Sequence, residues 1–291
     1  GATIAAGRVT GAASAGGFIL DGPGNAFGAA GAILAAGDVR LRTTLPLTAG
    51  GITANGAVLS LVAPSVTLDG ALSVGAIGAP GTLAITAATG AIDLGEQTVT
   101  AVAGGTIELS AVTTIRQTEA GAGGLVGGAL RLAPSALGVL AADLRGAGNA
   151  LGGVRGNLPG GLVLHNGGAL RVLGTGITVG AGDVTLRAAS LAVEAPILAA
   201  GRTVTLTATG AGGITQAAGS RITAATLSVS AVAGSARLNG GSDAPADADR
   251  NLIGTLGAVT VSGDLALMNA GGLVVGGPVS ADGGTTRMGT L

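Results

Sequence analysis

The feature that most constrains this chain is a short strand signature that keeps returning. Val39-Arg40-Leu41, Leu59-Ser60-Leu61, Leu83-Ala84-Ile85, Ile107-Glu108-Leu109 and Leu130-Arg131-Leu132 each place two apolar residues around one that points the other way. Leu162-Val163-Leu164, Val184-Thr185-Leu186, Val204-Thr205-Leu206, Leu227-Ser228-Val229 and Leu265-Ala266-Leu267 continue the series. Alternation with a period of two is the mark of a strand with one buried face. Successive members lie 20, 24, 24, 23, 32, 22, 20, 23 and 38 residues apart. A nearly constant interval of this size is the sequence sign of a solenoid, in which each repeat is one coil. Further short strands between the members, such as Val66-Thr67-Leu68, Leu191-Ala192-Val193 and Leu273-Val274-Val275, supply the other faces of each coil. The expected fold is all-β, a parallel β-helix of roughly ten or eleven coils running through residues 1–291 as one continuous segment.

Composition agrees with a thin interior. The chain of 291 residues is 47% hydrophobic, yet its only aromatic residues are Phe18 and Phe27. Large cores normally draw much of their buried area from aromatic rings, so here Ala, Val, Leu and Ile must fill the inside. With 58 Gly and 9 Pro, the chain approaches low-complexity composition, but only 10% of its residues are charged. Disordered chains are poor in aliphatic residues and rich in charge, so an ordered protein is expected.

A longer repeat overlies the coils. Gly24-Asn25-Ala26-Phe27-Gly28, Gly148-Asn149-Ala150-Leu151-Gly152 and Asn251-Leu252-Ile253-Gly254 start near 24, 148 and 251, and in each a strand pair begins 13 or 14 residues after the Asn, at Val39, Leu162 and Leu265. The second and third copies coincide with the intervals of 32 and 38, which reads as coils carrying an insertion.

Several function classes lack their residues. The net charge is −1 and all 14 basic residues are Arg, scattered singly, so no basic stripe and no aromatic platform exist for nucleic acid. The absence of Cys removes disulfides and thiolate metal sites. No apolar run is long enough for a transmembrane helix, and two Phe cannot form the aromatic girdles of an outer-membrane barrel. The chain starts at Gly1 without a basic and apolar leader, as expected of a mature chain or an internal fragment.

The candidate sites are few. His165, the single histidine, would have to anchor any Ser-His-Asp or histidine metal site; a solvent-facing position at a strand end is the expectation. The densest acidic stretch, Ser242 to Arg250, carries Asp243, Asp247 and Asp249. These are a weak calcium candidate, because calcium takes several oxygen ligands but the spacing fits neither an EF-hand nor the nonapeptide calcium repeat of β-rolls. A solvated loop insertion is the default. Polysaccharide-cleaving β-helices gather carboxylates beside basic and aromatic groups; here Asp38, Asp69, Asp93, Glu108, Asp183 and Asp264 are dispersed, and Asp93 and Glu96 are the closest pair outside the acidic loop. Gly121-Ala122-Gly123-Gly124 and Gly146-Ala147-Gly148 lack a phosphate-loop Lys and read as turns. Threonines cluster at Thr203-Val204-Thr205-Leu206-Thr207, but the reading is that other coils do not repeat them in register. No catalytic residue, no cofactor and no metal are assigned.

One stretch carries a family resemblance. Gly213-Ile214-Thr215-Gln216, Ile222-Thr223-Ala224-Ala225-Thr226-Leu227, Leu238-Asn239-Gly240, Asn251-Leu252-Ile253-Gly254 and Ser262-Gly263-Asp264-Leu265-Ala266-Leu267 resemble the repeat region of filamentous-haemagglutinin-type exoproteins. The resemblance implies a right-handed β-helix, export through an outer-membrane two-partner secretion pore, and roles in adhesion or biofilm at a Gram-negative cell surface. Its expected partners are cell-surface or matrix receptors, further copies of the chain, and the secretion pore during export. The Asn-Pro-Asn motifs of that family's secretion domain are absent here. The expected role is a structural or adhesive stalk, with a head-to-tail filament subunit as the alternative and a polysaccharide-cleaving enzyme behind both.

Overall fold

The computed structural model describes residues 3–76, 78–102, 104–119, 121–134, 138, 140–241 and 249–289. Among them there is no α-helix, and so none long and apolar enough to cross a membrane. Contacts divide the chain into two compact units, Gly1–Gly152 and Gly153–Leu291. Each is a parallel β-solenoid, and together they make about 12 coils, close to the ten or eleven expected. The count is higher because the coil of Ala5–Ala13 and Phe18–Leu20 carries no Leu-x-Leu triad.

In the first unit the expected triads stack into one column. Phe18 pairs with Val39, Val39 with Leu59, Leu59 with Leu83, Leu83 with Ile107 and Ile107 with Leu130, always in parallel. From Val39 and Leu41 up to Leu130 and Leu132, every inward residue of the triads is at most 1% exposed. Burying one such side chain contributes about 1.5–3 kcal/mol, so a one-residue slip, which would turn a whole strand inside out, is strongly opposed. A second column runs through Leu47, Val66, Ile92, Ile115 and Ala142. The third runs through Ile33, Ile52, Leu72, Val99 and Leu125. The corner between the second and third faces needs a left-handed residue: Gly51 takes φ 64° there, and in the preceding coil Ala32 takes φ 51°. No other non-glycine residue has a positive φ among the described residues.

The second unit has its own three columns. One joins Leu170, Leu191, Ile214, Ala236, Leu265 and Thr286. Another joins Ile177, Ile197 and Ile222, with Ala224 on Ile253. The third joins Leu162, Val184, Val204, Leu227 and Leu256. This corrects one expectation. Leu265-Ala266-Leu267 does not continue the series from Leu227; it stacks on Ala236-Arg237-Leu238, on another face. The interval of 38 therefore combines a change of column with the longer turn before Asn251. Spacing along a chain cannot say which face a triad joins, because the turns between faces differ in length.

The interior is thin and aliphatic. Its buried hydrophobic residues are Ala, Val, Leu and Ile, with Phe27 the one aromatic ring among them. Phe18 is half-buried and lies over Gly11, where an added Cβ would come 2.6 Å from its ring.

Candidate functional site

The fold uses many of its charged residues as bridges between coils. Arg116 reaches Asp93 at 2.6 Å and Arg131 reaches Glu108 at 3.1 Å, each across one coil step. Arg145 lies between Asp143 at 2.8 Å and Glu119 at 3.4 Å. Arg171 grips Glu194 with two parallel hydrogen bonds, Nε to Oε1 at 2.8 Å and a terminal nitrogen to Oε2 at 2.5 Å. These bonds hold the Glu194 carboxyl below its usual range, against a smaller opposing effect of burial. Parallel stacking sets outward residues of neighbouring coils about 4.8 Å apart, so opposite charges at matching positions meet without further design.

Three of the dispersed acids do a different job. Asp38, Asp183 and Asp264 each stand just before the first residue of a triad, and each accepts a backbone N–H from the next coil. The donors are Val58 at 3.0 Å, Thr203 at 2.8 Å and Thr285 at 2.9 Å. The sequence sign is Gly-Asp followed by Val or Leu, at Gly37, Gly182 and Gly263. The Asp264 carboxyl is held below its ordinary range chiefly by the Thr285 N–H, then by the Thr285 hydroxyl, with Arg237 and Arg287 adding attraction. A shallow groove of about 240 Å³ surrounds it, walled by Arg237, Asn239, Thr285 and Arg287. A similar hollow of about 230 Å³ lies around Glu108, Ser110 and Arg131. In both, the carboxylate is already engaged by an Arg or by backbone, unlike the paired acid and base that a hydrolase needs within reach of one bond. Asp69 stands exposed at a turn, and Glu96 is exposed two residues beyond Leu94.

The Asn residues of the long repeat are buried. Asn149 accepts from Gln117 Nε2 at 3.1 Å and from Leu125 N at 2.8 Å, and donates to Gln117 Oε1 at 3.0 Å and Leu144 O at 3.2 Å. Gln117 Oε1 also accepts Gly146 N at 2.9 Å. A Cβ at Gly146 would sit 2.3 Å from the Gln117 amide, so only glycine fits. The second unit repeats this clasp. Asn251 accepts from Gln216 Nε2 and Ile222 N, both at 2.9 Å, and donates to Gln216 Oε1 at 3.1 Å and Leu238 O at 2.9 Å. Gly240 N completes it on Gln216 Oε1. Asn25 makes the simpler form, accepting from Ile4 N and donating to Leu20 O. Buried amides cost free energy unless paired; here each closes a turn and locks one coil to the next. Gln216, Ile222, Leu238 and Asn251, which carry much of the family resemblance, are members of this clasp.

The remaining candidates fall apart in space. His165 ends the strand Gly161–His165 on its outward side, half-buried, with Arg187 as its partner in the next coil. Asp243 and Asp247 lie outside the described residues. Asp249 accepts the Gly219 N–H at 2.9 Å. Among the described residues no group of three or more His, Cys, Asp or Glu could hold a metal ion.

The threonine cluster requires a second correction. Thr203, Thr205 and Thr207 pair in register with Thr226, Ser228 and Ser230. Thr226 and Ser230 pair in turn with Thr255 and Thr260, and Thr185 lies under Thr205. The outward side of this column is thus a grid of hydroxyls over three successive coils. Its gap is at Gly257, beside the bulge between Leu256 and Val259, where an added Cβ would meet Ser228 Oγ at 2.5 Å. Among the described residues none of the grid hydroxyls makes a hydrogen bond; the neighbouring Thr209 hydroxyl, by contrast, donates to Ala188 O. The signal was present in the sequence. Val204 and Leu227 are 23 residues apart, so their outward neighbours must align, and the array emerges once Ser is counted with Thr.

Comparison of the chain with protein-family models, curated proteins and solved structures finds no match. The likeness the structure supports is that of a parallel β-solenoid repeat protein.

Proposed function

We propose that this chain is a stalk segment of a secreted bacterial surface protein, structural and adhesive in role and without a catalytic site. The supporting observation is where its polar groups are placed. Carboxylates such as Asp93, Glu108 and Glu194 bridge to an Arg of an adjacent coil, Asp38, Asp183 and Asp264 cap strands, and the buried Asn and Gln residues close turns. All of these hold coils together, as a load-carrying element requires. Export through an outer-membrane pore and adhesion to a cell-surface or matrix receptor follow the resemblance to filamentous-haemagglutinin-type exoproteins, whose motif residues here serve the same clasp.

A filament subunit is the second reading. Val274, Val275 and Met288 are 63%, 54% and 43% exposed on strands paired along one edge, and a second copy would cover them. Negative-stain electron microscopy over a concentration series separates the two: separate short rods are expected for the stalk, whereas long uniform fibres at higher concentration would establish the filament. Turnover of any acidic polysaccharide, lost on neutralising Asp264 or Glu108, would overturn both.

A further inference from the structure

We propose that the hydroxyl grid of the second unit is an ice-binding face. This goes beyond the stalk reading and does not depend on it. The face is built from the outward residues of Val184–Ala188, Ile197–Ala208, Ile222–Ala231 and Leu252–Val261.

Three properties of the face select its partner. The first is spacing. Neighbouring coils are about 4.8 Å apart, and alternate residues on a parallel strand are about 6.6 Å apart. Water oxygens joined tetrahedrally by bonds of about 2.75 Å have second neighbours about 4.5 Å apart, and the hexagonal lattice repeats along its stacking axis every 8/3 bond lengths, about 7.3 Å. The hydroxyls match both repeats to within about a tenth at three positions on each of the two central strands, and the next coil adds Thr255 and Thr260 on either side of the gap at Gly257. The second is chemistry. The hydroxyls have no partner among the described residues, so water satisfies them, and a hydroxyl both donates and accepts, as a lattice water does. The third is order. Threonine is stiff at χ1 and its strand is held on both sides, so the threonine hydroxyls are positioned before any ligand arrives, which lowers the entropic cost of binding.

Other partners fit less well. Sugar rings are usually held by aromatic stacking, and the second unit has no aromatic residue. An acidic ligand would need cations, but within the grid every position is neutral. Arg187 stands at its edge, next in the column to Thr207, and Arg202 is turned away to donate to Gly180 O at 3.1 Å.

The test uses the purified chain as it is. Wild type is expected to be taken up into a slowly growing ice hemisphere and to arrest ice recrystallisation, while a globular control of similar size is excluded. Thr205→Tyr, in the middle of the grid, should lose both effects, and Ser228→Thr, which adds a methyl group without changing the register, should strengthen them. Ser60→Tyr, outward in the first unit, should behave as wild type. Circular dichroism and melting temperature show that each variant is folded, and Thr226→Lys provides a second probe should Thr205→Tyr fail that check. Exclusion of wild type from ice, or uptake unchanged in both grid variants, overturns the proposal. So does binding to insoluble cellulose or chitin without uptake into ice, which would assign the face to a carbohydrate.

Discussion

The turn around Asn149 in the first unit and the turn around Asn251 in the second make the same hydrogen bonds with different lengths of chain. Asn149 donates to the carbonyl of Leu144, five residues earlier, and Asn25 does the same to Leu20. Asn251 reaches the equivalent Leu238 thirteen residues earlier. Eight more residues separate the bonded pair here, and the clasp is unchanged. The fold therefore places its constraint on the amide pair and leaves the chain between free to lengthen. Loop-closure entropy grows only slowly with length, whereas an unpaired buried amide is costly, so the geometry that survives is the one that satisfies Asn and Gln.

The largest expected effect comes from breaking the clasp. Asn149→Ala leaves the Gln117 amide, the Leu125 N–H and the Leu144 carbonyl without their partner, and should destabilise the first unit by about 3–5 kcal/mol, since each buried orphan costs about 1–3 kcal/mol. Asn251→Ala should cost at least as much, because Asn251 also donates to Met268 O. Chemical denaturation of each variant measures this. A loss below 1 kcal/mol at either position would show that water replaces the amide and that the two turns are held by something else.

A smaller effect tests the length of the turn. Replacing residues 239–250 with the four residues Arg145–Gly148 keeps a glycine to donate to Gln216 and should stabilise the second unit by about 1 kcal/mol, the closure entropy of the shortened loop. Loss of folding in this graft would show that contacts of the longer turn, such as Asp249 with the Gly219 N–H, outweigh its closure entropy.

The smallest effect concerns charge. Glu194 and Asp264 titrate below the ordinary carboxylate range when folded, so the stability they add is fully present above the unfolded value, about pH 4, and is lost as pH falls through the folded values. Urea midpoints should hold from pH 7 to 5 and decline below 4. Arg171→Ala should flatten that decline slightly, and salt should weaken it little beyond the general screening of exposed pairs. A midpoint that falls between pH 7 and 5 would show that these two carboxylates do not set the pH dependence.

How much of this could be read in advance differs from residue to residue. The period of Val39, Leu59, Leu83, Ile107 and Leu130 already implied stacked coils and a thin aliphatic core, because alternation states which side of a strand is buried and a constant interval states that strands repeat. Asn25, Asn149 and Asn251 announced a repeat, though not that their amides would be buried against Gln117 and Gln216, which lie 32 and 35 residues away from the Asn they pair with. The face that Leu265 joins, and the alignment of Thr203, Thr205 and Thr207 with Thr226, Ser228 and Ser230, were settled only by register. Local pattern is a property of one strand, and a chain writes it down directly. Register is a property of two, decided by which pairing buries every apolar residue and satisfies every amide at once.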